Sequence, residues 1–132
     1  MKILILLISI LLTPSLVYGN STYTCTVKDV REVSSNGRLD KSNGFMTHQI
    51  GTKFTINKET GEISGKYVNT LYSVSREVLD IGGHSNNYKT LSIYEPNRQI
   101  MYIEVMDNIE VARSPIPFIG YRLSSVFSGV CN

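Results

Sequence analysis

The sequence predicts an all-β fold: a single antiparallel small barrel or sandwich, with one short helix as the alternative in one stretch, behind a signal peptide. Three observations carry that prediction. Apolar and polar residues alternate in short runs, as on half-buried strands. Turn signals built on Gly, Asn and Pro recur every ~8–15 residues, the spacing of sandwiches and small barrels. Cys25 and Cys131 stand near the two ends of the expected domain, where one bridge would enclose nearly all of it. The chain has 132 residues, 42% hydrophobic and 18% charged. That supplies one core but not two, and it excludes a disordered chain and a multidomain enzyme. A net charge of +2 gives no electrostatic reason to expect nucleic acid or an anionic membrane as partner.

Residues 1–19 read as a secretory signal. Lys2 supplies the positive n-region, Ile3 to Leu12 is apolar apart from Ser9, and Pro14 precedes a small residue at Gly19. The apolar run is far shorter than the ~20 residues a spanning helix needs. Residues 20–132 are therefore expected to form one exported domain with no membrane span after cleavage. Its place would be the periplasm, which the short single-lysine signal suits, or the extracellular space.

The first strand follows at once. Tyr23, Cys25 and Val27 alternate with Thr24, Thr26 and Lys28, and the register breaks near Asp29, where a bulge or strand end is expected. Ser34-Ser35-Asn36-Gly37 and Ser42-Asn43-Gly44 are turn signals, because Asn-Gly readily supplies positive φ. Lys53 to Asn57, the turn Lys58 to Gly61, and Glu62-Ile63-Ser64 form the clearest hairpin. Residues 66–81 fit two patterns: Tyr72, Val74 and Val78 suit a strand, while Leu71, Val74, Val78 and Leu79 suit a helical stripe. The β-branched residues and Gly82-Gly83 favour the strand. Tyr88 to Tyr94 and Gln99 to Met106 alternate again around a turn at Glu95-Pro96-Asn97-Arg98. Pro115 and Pro117 argue against a central strand at that point. Phe118 to Leu123 and Ser125 to Cys131 close the domain, with Gly120 and Gly129 expected as bends.

Only one intramolecular disulfide can form, Cys25–Cys131, and an oxidising compartment favours it. A dimer linked through Cys131 is the competing use. Two cysteines without a neighbouring histidine make a poor metal site, and no Cys-x-x-Cys motif is present. No metal and no cofactor are expected.

The chemistry is sparse. His48 and His84 are the only histidines, 36 positions apart, with no carboxylate or cysteine at ligand spacing. No Gly-x-Ser-x-Gly, phosphate-binding loop or His-Glu-x-x-His motif occurs. No catalytic residue can be named. Seven of the eight tyrosines lie beyond the expected signal, with no tryptophan anywhere, and they either fill half-buried strands or furnish a binding surface. Loops on a rigid β scaffold commonly carry recognition. The binding candidates are therefore His84, Asn86, Asn87 and Tyr88 in the Gly82 to Tyr88 loop, with Ser34 to Gly44 as a second loop.

Several of these segments resemble a family of small, exported, uncharacterised proteobacterial proteins. Phe54-Thr55-Ile56-Asn57-Lys58-Glu59-Thr60-Gly61 matches that family's Phe-x-Val/Ile-Asp-Arg/Lys-x-Thr-Gly hairpin, with Asn57 where an acidic residue is usual. Tyr23-Thr24-Cys25, Val78 to Gly82, Tyr88-Lys89, Pro117-Phe118 and Val126 to Cys131 extend the likeness over most of the domain. The resemblance implies an exported β domain with N- and C-terminal cysteines and no assigned activity. The terminal cysteine pair also resembles periplasmic lysozyme inhibitors in architecture, but their inhibitory-loop motif is absent.

The expected function is that of a non-catalytic binding module. Its partner would be an envelope or secreted protein, or a small ligand. The alternatives are a small secreted hydrolase and a periplasmic enzyme inhibitor or immunity-type protein.

Overall fold

The computed structural model describes residues 21–83, 85–108 and 114–132. The expected signal peptide and His84 lie outside the described residues. Among these, nine strands form one antiparallel sheet: β1 (Thr22–Val33), β2 (Leu39–Lys41), β3 (Lys53–Asn57), β4 (Ile63–Gly65), β5 (Ser73–Ile81), β6 (Tyr88–Tyr94), β7 (Gln99–Val105), β8 (Ile116–Arg122) and β9 (Ser125–Cys131). The order is β4-β3-β1-β9-β8-β7-β6-β5, with β2 paired to the far end of β1. A meander thus runs from β5 to β9, and β1 joins its end.

The sheet curls on itself. Tyr23 of β1 meets Tyr88 of β6 edge-on at 5.4 Å between ring centroids, and Phe54 of β3 meets Phe118 of β8 at 5.3 Å. Neither pair sits on neighbouring strands, so each contact crosses the core. Cys25, Val27, Ile56, Met101, Ile103, Val105 and Phe127 fill the space between them. The result is a half-barrel with one apolar interior.

Local chemistry explains most boundaries. The break near Asp29 is a β-bulge: β1 and β9 shift register between Val27 and Asp29, and Val30 returns to the core. In the β3–β4 turn, Asn57 Oδ1 accepts the N–H groups of Glu59 at 3.0 Å and Thr60 at 3.1 Å. An Asp could accept both bonds equally well, so an acidic residue at this position would need no other role. Gly61 closes the turn at φ 69°, and a Cβ there would lie 2.6 Å from Thr90 Oγ1. The turn therefore seats directly on the inner face of β6, whose Thr90 and Ser92 are small enough to receive it.

Of the two patterns open to residues 66–81, the strand forms over residues 73–81 as β5, while 66–72, Tyr72 included, are loop and turn; the one helical element described is the 3-10 turn Phe45–Gln49. Three expectations change. The segment Ser34 to Gly44 is not a continuous loop, since Leu39–Lys41 pairs back onto Arg31–Val33 as β2. Pro117 lies inside β8, which has β7 on one side and β9 on the other. It is tolerated because the β7 ladder ends at Val105, opposite Phe118, and Pro117 still accepts the Met106 N–H at 2.9 Å. Gly120 and Gly129 are not bends. Each stands mid-strand opposite a phenylalanine, Gly120 against Phe127 and Gly129 against Phe118. The rings take the volume that side chains would fill.

The two cysteines face each other in the β1–β9 register and form a disulfide, with Cα atoms 3.9 Å apart. Thr24 and Asn132 exchange both backbone hydrogen bonds next to them, so the cysteines occupy the closely spaced, non-hydrogen-bonded pair.

Candidate functional site

The loop candidates occupy different surroundings. Asn86 is exposed. Asn87 donates from Nδ2 to Glu104 Oε1 at 2.7 Å. Tyr88 is fully buried; its ring packs on Tyr23 and its hydroxyl donates to Asn57 O at 3.4 Å. The side chain of Tyr88 is thus part of the core beneath the loop rather than part of its surface.

Two carboxylates anchor this end of the half-barrel. Asp107 Oδ1 accepts the Tyr88 N–H at 2.9 Å, and Oδ2 accepts the Tyr23 hydroxyl. Gly82, at φ 76°, passes so close that a Cβ would lie 2.5 Å from the Asp107 carboxylate. Lys58 Nζ stands 4.0 Å above the Tyr23 ring. On the outer face, Glu104 accepts from Asn87 and, at 2.8 Å, from the Tyr102 hydroxyl. The hydrogen bond from Asn87, aided by Tyr102, holds the Glu104 carboxyl below its ordinary pKa. Burial, and then the bond to Glu104, push the Tyr102 phenol up to about 12. Burial first, then Asp107, raises Tyr23 as well. Asp107 takes its two donors from β1 and β6 and ties those strands together, whereas Glu104 takes one from Tyr102 on its own strand and one from Asn87, which fastens the loop before β6 to β7. Such an arrangement positions loops and does not by itself present a proton to a substrate.

Among the described residues, no group of three or more His, Cys, Asp or Glu could hold a metal ion. A shallow hollow beside β4, lined by Glu62, Ile63, Ser64, Gly65, Asn69 and Leu71, has a volume of about 160 Å³. Small-molecule sites run to ~300–1,000 Å³.

The sheet edges differ sharply. At the β4 edge the chain satisfies itself. Thr70 donates its N–H to Ile63 O at 2.9 Å and accepts the Ile63 N–H on Oγ1 at 3.0 Å. Asn69 Nδ2 donates to Gly65 O. At the β5 edge no described strand pairs beyond β5. There the most exposed large apolar side chains collect: Tyr72 at 80%, Ile81 at 79%, Leu71 at 74% and Val74 at 61%, with Leu79 also exposed. Register shifts between Ser73 and Ser75 and between Val78 and Asp80 leave Val74 and Leu79 as bulged residues off the β5–β6 ladder. Ser75 to Val78 is the regular stretch between them.

The sequence pattern hides this surface, because the same apolar residues suit a core stripe. One signal could have revealed it. Arg76 and Glu77 are consecutive, so a strand there carries a charge on each face. Neither face can then be a continuous core face.

Comparison of the chain with protein-family models, with curated proteins and with solved structures finds no match.

Proposed function

We propose that this chain is a non-catalytic module that recognises another protein, and that the open side of β5 together with Leu71 and Tyr72 is its recognition surface. One observation carries the reading: the most exposed large apolar side chains of the described residues lie in one stretch, beside a strand edge with no described strand beyond it. Exposed apolar patches on a small domain mark interaction sites. The Cys25–Cys131 disulfide fits an oxidising compartment. It agrees with the export suggested by residues 1–19 and with the resemblance to exported β proteins.

The test is affinity capture from envelope and culture fractions with the oxidised protein as bait. A Leu71→Ser/Tyr72→Ser/Ile81→Ser variant should lose the captured protein. A Lys41→Ser variant on the remote strand β2 should keep it. Retention of the same saturable partner by the triple variant would refute the assignment of the surface.

A further inference from the structure

We propose that the occupant of the β5 edge is a short extended segment of a different protein, added antiparallel to β5, with an acidic residue opposite Arg76 and a basic residue opposite Glu77. This rests on the reading of β5 as the recognition surface and goes further by naming the form and charge order of the partner.

Three observations lead there. The first is the edge itself, which no described strand pairs. A strand at the end of a sheet offers backbone N–H and C=O groups to an added strand. The sheet is antiparallel throughout the described residues. The β4 edge offers no equivalent, since Thr70 closes the Ile63 groups and Asn69 closes the Gly65 carbonyl.

The second observation is the charge pattern. Arg76 pairs with Ser92 on the core-side face of β6, and Glu77 pairs with Leu91 on the outer face. Residues directly opposite each other on antiparallel strands share a face, and opposite charges there attract. A complementary segment reads basic-then-acidic from its N-terminus. Its flanks meet Leu79 at one end and Val74 at the other.

The third observation excludes a second copy of the same edge. Two-fold pairing of β5 with itself must centre on a residue, because opposed side chains share a face. Centring on Arg76 sets Arg76 against Arg76, and centring on Glu77 sets Glu77 against Glu77. Centring on Ser75 or Val78 brings a bulged residue, Val74 or Leu79, next to the axis. Each self-pairing register carries a like-charge contact or a broken ladder.

The experiment uses the purified oxidised protein and two synthetic peptides, Ser-Val-Thr-Lys-Glu-Thr-Val-Ser and its order-swapped form Ser-Val-Thr-Glu-Lys-Thr-Val-Ser. Binding is followed by NMR titration and by amide hydrogen exchange. The Lys-Glu peptide should bind at least about threefold tighter and protect amides of Ser75 to Val78. An Arg76→Glu/Glu77→Arg variant with an unchanged thermal melt should reverse the preference. Equal binding of the two peptides, no binding at millimolar peptide, protection elsewhere, or concentration-dependent self-pairing through β5 would each overturn the inference. Failure of the surface assignment is seen separately, in partner capture by the Leu71→Ser/Tyr72→Ser/Ile81→Ser variant.

Discussion

Reducing the Cys25–Cys131 bond should cost the protein a large share of its stability while leaving the native fold recognisable. The bond joins residues 106 positions apart. In the chain-entropy treatment, opening a loop of ~100 residues releases about 4.7 kcal/mol of restraint on the unfolded chain at 25 °C. Net stabilities of single domains are ~5–15 kcal/mol, so the loss is a third of the total or more. At the slope expected for a domain of this size it lowers Tm by about 15–25 °C. The native state has reason to persist, because the β1–β9 ladder runs from Cys25 to Glu32 and the neighbouring Thr24–Asn132 pair keeps its two hydrogen bonds. The comparison is best made between the oxidised and reduced wild-type protein. Alanine substitution would add the loss of two fully buried sulfurs to the effect of the cross-link. Urea denaturation followed by circular dichroism gives ΔG and m, with free thiols counted by mass. The reduced chain unfolds to a more expanded state, so m should rise as ΔG falls. A loss below about 1 kcal/mol with m unchanged would refute the argument that the bridge acts on the unfolded chain.

Further outcomes follow from the packing and the tyrosines. Gly129→Ala drives a Cβ into the Thr26 backbone carbonyl and should cost about 1–3 kcal/mol or more in urea denaturation; Gly44→Ala, with nothing within 4 Å, should be nearly silent. Tyr23→Phe removes the phenol donor from Asp107 Oδ2 and should cost about 1–3 kcal/mol by the same measurement. Tyr102 has its pKa raised in the folded state to about 12. A raised folded value means that its contribution is intact below the free-phenol range near ~10 and is lost as pH climbs from there towards 12. Urea midpoints should therefore fall across that window, and Tyr102→Phe should reduce the slope. Glu104 is shifted the other way, so its contribution is present above the ordinary carboxylate range and fades as pH falls through its lower folded value.

The parts of the fold that could be read from the sequence are those set by near neighbours. The β1 alternation, its break near Asp29 and the Asn57–Gly61 turn all depend on residues a few positions apart. The disulfide was readable for another reason, since two cysteines allow one intramolecular pairing. The β8–β9 pair was not readable in the same way. Gly120 and Gly129 carry the local mark of bends, and their true partners, Phe127 and Phe118, are set by cross-strand register. Pro117 misled similarly, because its acceptability depends on where β7 ends. Tyr88 was readable as the start of a strand, but as a binding candidate it misled, because its side chain turns inward, where Tyr23 and Asn57 receive it from β1 and β3. In each case the deciding contact is distant in sequence.

The β5 edge poses a conflict that substitution can resolve. Natural edges are protected by bulges and charges, and β5 has both, in Val74, Leu79, Arg76 and Glu77. Protection alone does not explain why apolar residues remain beside them. Ile81 is 79% exposed and Tyr72 80%, so neither can contribute much burial to the isolated domain. A Tyr72→Lys/Ile81→Lys variant should accordingly change stability by no more than about 0.5 kcal/mol per site, the range of ordinary surface substitutions. The same variant should abolish capture of a partner that docks here. Thermal denaturation and capture together separate the two roles. Lost stability of about 2 kcal/mol or more, on the scale of a buried side chain, would show that Tyr72 and Ile81 serve the fold. Stability retained with capture intact would leave the edge merely protected, and the recognition surface would have to lie elsewhere. Stability retained with capture lost is the outcome expected of side chains kept exposed for contact with another chain.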